Sequence, residues 1–417
     1  MPPKRAASPT KAVKPVLLPE LLPVMQDLIK KINEEPGWNA RFENAIVEAK
    51  AWNILQMKDI KTFSNFATWC NDLLTWVPSE DVQGKEIYNK LCMFYFVFDQ
   101  PAVKDLQSPI EPRIEPNFPG TPKLTFISSW MVQYANAMGQ FLDTPESISA
   151  ESVESFVKSP NYNIDDYIQP RTGFKSFNDL FARNFKPGYR AIAAVTDQSV
   201  IVSPADCTFD GQWEIRSTSG VTIKNIHWHI SELLDDSPYK DRFNNGIFMH
   251  AFLSPADYHR QHAPVGGTVL EARNIADQVY LEVVPQVNPD GTASLTPQRK
   301  LVCPPSKLPK LSQGNGTTFN APDSPGYQFV QTRGLVVLDT AIGLVAVLPI
   351  GMCQVSSVVI TAEVGKVLRK GEEISYFQFG GSDVVIVFEA KSNVNITAVV
   401  DTHYKMGTVI AQAYPAV

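Results

Sequence analysis

The chain is short of cysteine, short of histidine and without a long apolar run, and each shortage removes a class of function. Its five cysteines, Cys70, Cys92, Cys207, Cys303 and Cys353, are widely separated and form no Cys-x-x-Cys pair. Neither a zinc site nor a disulfide framework is expected; Cys207 reads as a small buried thiol. No apolar stretch approaches the roughly 18 to 20 residues that span a bilayer, and the most apolar, LCMFYFVF at 91–98, has the length of a core element. The opening MPPKRAASPTKAVKP is basic and proline-rich with no apolar segment behind it, so no secretory leader is expected and the expected location is cytoplasmic. A net charge of −6 lacks the basic excess of a nucleic-acid binder, and no nucleic-acid partner is expected. His227 and His229 could share a metal only with a third ligand that the pattern does not supply. No metal is expected.

What is present is enough apolar residue for two domains or one large one: 44% of 417 residues. After a disordered tail over 1–15, Leu21, Leu22, Met25, Leu28, Ile29 and Ile32 recur at helical spacing, and a helical N-terminal domain is expected over 16–106. Five prolines in 107–123 read as a linker. The remaining region, 124–417, opens with helices, including one capped by Ser176 that carries Phe177, Leu180 and Phe181, with Arg183, Lys186 and Arg190 on a solvated basic face. From about residue 194 short runs rich in β-branched and aromatic residues, punctuated by Gly, Pro and Asp, predict strands. Eight prolines between Pro285 and Gly326 predict a long irregular excursion. The expected fold class is therefore α+β, helices first and a β-rich domain with flanking helices after.

The chemistry concentrates in three places. Two strand-like runs meet at Gly380-Gly381-Ser382, either a glycine hairpin turn or a strained functional junction. The segment LSPADYHRQHAPVGGTV holds His259 and His262 three residues apart, and VSPAD supplies Asp206. Acid, base and hydroxyl nucleophile are all available. No Gly-x-Ser-x-Gly elbow surrounds Ser382, which argues against an ordinary serine hydrolase. Asp257 and Tyr258 read as turn-shaping residues.

Taken in order, SFNDLFAR, FKPGYR, VSPAD, LSPADYHRQHAPVGGTV and FGGS resemble the phosphatidylserine decarboxylase family of self-processing, pyruvoyl-dependent enzymes. The FGGS form resembles the fungal branch that includes the tryptophan decarboxylase of psilocybin biosynthesis. The resemblance implies cleavage between Gly381 and Ser382. Ser382 Oγ attacks the Gly381 carbonyl to form an ester; elimination leaves dehydroalanine, and hydrolysis gives a pyruvoyl group with loss of ammonia. This carbonyl, with no pyridoxal phosphate, then serves as electron sink for decarboxylation through a Schiff base. By the same resemblance His262 is the base that activates Ser382, Asp206 orients His262, and His259 acts in decarboxylation as proton donor. The two cleavage fragments are expected to stay associated. Expected substrates are a free, aromatic L-amino acid, tryptophan-like, or else phosphatidylserine in a membrane surface, giving phosphatidylethanolamine. Where the family pattern has Gly-Ser-Thr, this chain has Asp383 after Ser382, so an unprocessed, non-catalytic family member is the remaining alternative.

Overall fold

The computed structural model describes residues 21–110, 123–223, 226–289, 291–297, 326–352, 357–379 and 381–415. The expected tail, residues 111–122 of the expected linker, residues 298–325 of the excursion, the His227 side chain, and Cys303 and Cys353 lie outside them. Helical spacing in the first third produces α1 (Pro23–Glu34), α2 (Trp38–Lys50), α3 (Phe63–Leu73) and α4 (Glu86–Phe98), followed by α5 (Phe126–Leu142), α6 (Ala150–Lys158) and α7 (Phe177–Phe181). Of the positions expected to recur on this helix, Leu21, Met25, Leu28, Ile29 and Ile32 are buried, joined by Val24, whereas Leu22, just ahead of α1, is exposed. Thr62, Thr125, Ser149 and Ser176 cap α3, α5, α6 and α7 by accepting a backbone N–H three residues on. The apolar run of α4 is buried nearly all round, and Phe94 and Phe98 lie against Trp130 and Tyr134 of α5.

Strands follow as β1 (Val200–Val202), β2 (Cys207–Glu214), β3 (Gly220–Ile223) and β4 (Ile226–His229), then helix α8 (Ile230–Leu234). Next come β5 (Ile247–Leu253), β6 (Arg260–His262), β7 (Gly267–Ile275), β8 (Val283–Val287) and β9 (Ala293–Pro297). The last stretch holds β10 (Arg333–Thr340), β11 (Gly343–Met352), β12 (Val358–Ile360), β13 (Val367–Leu368), β14 (Glu373–Phe377), β15 (Gly381–Phe388), β16 (Val394–Ile396), β17 (His403–Tyr404) and β18 (Val409–Ala413). Eight of them form one sheet in the order β13-β7-β10-β11-β15-β5-β2-β17, antiparallel throughout. The fold class is α+β, as the residue pattern indicates.

Both faces of this sheet are covered, and the side chains divide between them with the two-residue period of a strand. Val384, Ile386 and Phe388 of β15 join Met249, Ala251 and Leu253 of β5 in a core continuous with the buried residues of α1 to α7. Val385 and Val387 join Phe248, Leu335, Val337, Ile230 and Leu233 in a second core on the opposite face. The excursion beginning at Pro285 is partly regular, against expectation: β8 and β9 pair as a hairpin, and Val283, Ala293 and Leu295 enter the core beside α4. Tyr95 Oη donates to the Val279 carbonyl at 3.2 Å, and the Val283 N–H donates to Asp99 at 2.8 Å.

Candidate active site

The junction at Gly380-Gly381-Ser382 is not a hairpin turn. Upstream, β14 belongs to a small sheet with β12 and β6; downstream, β15 lies in the middle of the large sheet. The chain changes sheets between Phe377 and Gly381, just ahead of the expected cut, and Gly381 and Ser382 both already pair with β11. Gly380 and the Ser382 side chain are outside the described residues, so the Ser382 hydroxyl is placed only through its backbone. Ser382 stands opposite Leu253 of β5 and Gly351 of β11.

The approach to the cut is pinned residue by residue. The Phe377 N–H donates to the His259 carbonyl at 2.8 Å, Gln378 N–H to the Ser357 carbonyl at 3.1 Å, and Phe379 N–H to Asn178 Oδ1 at 2.8 Å. The Phe379 ring meets Phe177 and Phe181 of α7 edge-on.

His259 is buried within this packing. Its ring stacks on Phe181 with centroids 4.0 Å apart and meets Phe377 edge-on. Nε2 lies 3.2 Å from the Pro255 carbonyl. A carbonyl only accepts, so Nε2 carries the proton and Nδ1 is bare; Nδ1 is buried without a partner. Burial pushes the imidazole down to about 3, so the ring is neutral. Pro255 follows two residues after Leu253, the partner of Ser382, which brings His259 and the expected cut to one end of β5.

His262 sits on the small sheet. Its N–H donates to the Pro204 carbonyl at 2.8 Å, Nδ1 is 2.9 Å from the Gly371 carbonyl, and Nε2 is 3.0 Å from Tyr258 Oη. Nδ1 therefore carries the proton, and the Nε2 lone pair accepts from the tyrosine hydroxyl. Burial lowers the ring's pKa; the Gly371 carbonyl and the Glu373 and Asp206 charges work against that. Gly371 has φ +83°, and a side chain there would run into Ile192.

Asp206 makes no hydrogen bond to His262. Its Oδ1 accepts from Arg190 Nε at 2.9 Å and from the Met406 N–H at 2.8 Å, and its Oδ2 accepts from Arg190 Nη2. The Arg190 guanidinium also lies 3.7 Å from the Phe185 ring centroid. The solvated basic face expected beyond α7 is therefore corrected. Arg183 is buried over Tyr167 and donates to the carbonyls of Ala256 and Asp257, and the Arg190 side chain is 8% exposed. Each finds an anionic or carbonyl partner from a distant segment, which spacing on the short α7 stretch does not reveal. Tyr258 does more than shape a turn: its ring packs against Phe185 at a tilt, and its hydroxyl reaches His262. Asp257 does cap its turn, accepting from the Ser254 N–H at 2.7 Å, and also pairs with His403. Cys207 is buried and free, its thiol pushed up to about 12 by burial. Among the described residues no group of three His, Cys, Asp or Glu side chains could hold a metal, and no helix is long and apolar enough to cross a membrane.

Comparison with known proteins places these residues in one matched region. A family model for phosphatidylserine decarboxylase matches residues 177–412. The phosphatidylserine decarboxylase proenzyme 3 of Schizosaccharomyces pombe is 29% identical over 282 residues, covering 66% of this chain and 25% of that protein. The phosphatidylserine decarboxylase proenzyme of Fusobacterium nucleatum is 28% identical over 267 residues, 64% of this chain and 74% of that protein. Decarboxylase iboD of Amanita muscaria is 26% identical over 316 residues, 70% of this chain and 83% of that protein. The chain thus spans a quarter of the fission-yeast relative and about three quarters or more of the other two.

Proposed function

Because this chain belongs to the phosphatidylserine decarboxylase family, we propose that it is a pyruvoyl-dependent decarboxylase whose precursor cuts itself between Gly381 and Ser382. The observation that carries the reading is the change of sheet just ahead of Gly381-Ser382, pinned by Phe377 and Phe379 on one side and the β15 ladders on the other, with buried, neutral His259 at the same end of β5. The orphaned Nδ1 of His259 is the kind of buried polar atom that a carbonyl-bearing site and its substrate would engage.

In the first reaction Ser382 Oγ attacks the Gly381 carbonyl, and His262 Nε2 takes the hydroxyl proton. Nε2 is the nitrogen with the free lone pair, so Tyr258 must yield it to the serine or pass the proton through its own hydroxyl. Asp206, bonded to Arg190, supports the resulting imidazolium by its charge rather than by direct contact. Elimination releases the Gly381 carboxylate, and water replaces the nitrogen of residue 382, which leaves as ammonia. The group so formed supplies the carbonyl that withdraws electrons from a substrate's α-carbon when carbon dioxide departs. His259 is held in one tautomer by the Pro255 carbonyl. An anionic substrate carboxylate against Nδ1 would raise its basicity, so that it gains the proton that the product carbon receives. The small fragment contributes β15, central in the large sheet, and β16, β17 and β18, of which β17 and β18 pair with strands of the large fragment. These ladders keep the two fragments together.

The substrate we propose is a free, aromatic L-amino acid, tryptophan-like, supported by the fungal relative named as a decarboxylase, which matches over most of both chains. Phosphatidylserine is the alternative, supported by the names of the other relatives. Intact mass tests the first claim. Fragments 1–381 and 382–417, the smaller lighter by one ammonia than a serine-starting peptide, are expected from the wild type and a single chain from Ser382→Ala; an uncut wild type would sink the reading. Incubation with tryptophan, tyrosine and phenylalanine, and separately with vesicles carrying phosphatidylserine, decides the substrate by whether an aromatic amine or phosphatidylethanolamine appears.

A further inference from the structure

On the second face of the large sheet, among Val385, Val387, Phe248 and Leu335, a set of ionisable groups is buried without an obvious reason. His250 of β5 is inaccessible to solvent, with Nδ1 2.9 Å from Asp210 Oδ2 and Nε2 3.2 Å from Asp383 Oδ2. Asp383, likewise inaccessible, accepts the Tyr327 hydroxyl. The Gln328 amide lies 2.8 Å from His250 Nε2. Charged by its two carboxylates, the ring is pushed up to about 9 despite its burial and has no lone pair to offer. The amide then presents its oxygen, an orientation that also gives the otherwise orphaned Gln328 Oε1 a partner.

Local geometry is arranged to make this contact. In the β2–β5 ladder Phe209 faces Ala251 and Gly211 faces His250, so Asp210 is an extra residue at a bulge. A bulge re-aims a side chain. Gly211 makes it possible: φ is +153°, and a Cβ there would lie 3.0 Å from the Trp213 ring. Asp383 is the residue immediately after Ser382, where β15 begins.

Resting on the self-cleavage reading above, we propose that Asp210, His250 and Asp383 form a buried charge clamp, and that these three positioning residues fix the start of β15 so that residue 382 is held in place for cutting. An apolar side chain at 383 would fill the same core at less cost, since burying ions is expensive. What an ionic clamp adds is specification: it grips residue 383 from two elements, β5 and the turn at Tyr327–Val330, next to the peptide bond to be broken. Among the described residues, the charged groups facing His250 are Asp210 from β2 and Asp383 from β15, and the turn adds the uncharged Tyr327 hydroxyl and Gln328 amide.

Full-length precursor made by cell-free translation allows cutting to be followed from zero time by mass and by gel, from about pH 6 to about pH 10. Asp383→Asn and His250→Gln are expected to cut at least about tenfold more slowly than wild type, about 1.4 kcal/mol of barrier. Asp210→Asn touches nothing at residue 383. It is nevertheless expected to slow cutting and to move the alkaline fall in rate to lower pH, because His250 with one carboxylate surrenders its proton sooner. Each substitution is repeated with Ser382→Ala, whose thermal unfolding reports the uncut fold separately. If the Asn or Gln variants do not fold, Asp383→Thr, which keeps a hydroxyl beside His250 and Tyr327, carries the same comparison. Folded variants that cut at the wild-type rate overturn the clamp. So does slowing with an unmoved alkaline limb, which is what packing alone would give. A wild-type chain that never cuts would overturn the function proposal itself.

Discussion

Removing Arg190 isolates the Asp206 carboxylate, and the structure lets the cost be worked out. The two side chains are 8% and 5% exposed, and the guanidinium engages both carboxylate oxygens. Deleting one partner of a buried pair costs about 3–5 kcal/mol, because the survivor stays charged and desolvated. The Met406 N–H remains on Asp206 Oδ1 at 2.8 Å, which favours the lower part of that range. Loss of the guanidinium from the Phe185 face restores about 0.5–1 kcal/mol to the cost. Arg190→Ala is therefore expected to cost about 4 kcal/mol. With an unfolding entropy of about 2.1 cal/mol/K per residue over 417 residues, this lowers Tm by about 4–5 °C. Adding Asp206→Asn removes the stranded charge while keeping an acceptor for Met406, so the double variant should recover about 2 kcal/mol. Calorimetry of the two single variants and the double, all carrying Ser382→Ala so that every sample is one uncut chain, measures the cycle. A double variant as unstable as the sum of the singles would refute the reasoning.

Asp99 gives a pH test between α4 and the β8 strand. Burial raises its carboxyl to about 7, with the Val283 N–H opposing the shift. The unfolded chain ionises near the ordinary value while the folded one holds the proton, so a penalty absent below about pH 4 grows with rising pH and is complete above about 7. Asp99→Asn should match wild type at low pH and exceed it by on the order of 4 kcal/mol at pH 8, measured by denaturant unfolding; equal stability at pH 8 would contradict this. In the aromatic core of α4 and α5, Phe94→Ala should cost about 3–5 kcal/mol. Trp130→Phe, which loses the 2.7 Å bond from its indole N–H to the Val24 carbonyl, should cost about 1–3 kcal/mol in the same assay. Thr62→Ala removes the cap that accepts the Asn65 N–H and should cost about 1 kcal/mol.

How far the sequence discloses this molecule depends on whether a residue acts through neighbours in the chain or across space. Leu28, Ile29 and Ile32 lie on one face of α1 because period 3.6 puts them there, and Ser176 caps α7 through an N–H three residues away. Both are local, and both are legible. The β8–β9 hairpin is hidden by Pro285 and by the Pro-Asp-Gly sequence that follows, which read as breakers although Val283, Ala293 and Leu295 have found core against the helices. Arg190, Tyr258 and Gly371 are harder. Their contacts with Asp206 and His262 span 16, 4 and 109 residues respectively. Only Tyr258 left a possible signal, since i and i+4 at a tight bend can meet. Asp383 stands out in the sequence as an odd residue beside Ser382, but its partners His250 and Tyr327 come from separate elements that only the sheet register and the turn bring to it.

The change of sheets just ahead of the cut has a consequence for refolding. Residues 373–377 remain paired with β6 and β12, and residues 382–388 remain paired with β11 and β5, so a break between 381 and 382 leaves the ladders on either side standing. The native cut protein should therefore run as one species on size exclusion. Once unfolded, however, the fragments are separate molecules, and the central strand of the large sheet must return from solution rather than from the end of a tether. Diluted from denaturant at low micromolar concentration, the Ser382→Ala precursor should regain its unfolding midpoint, whereas the cut wild type should recover only in part and in proportion to concentration. Equal, concentration-independent recovery would mean that β15 is not needed for the large fragment to fold. Separation on the native column would mean that the strand ladders do not hold the fragments together.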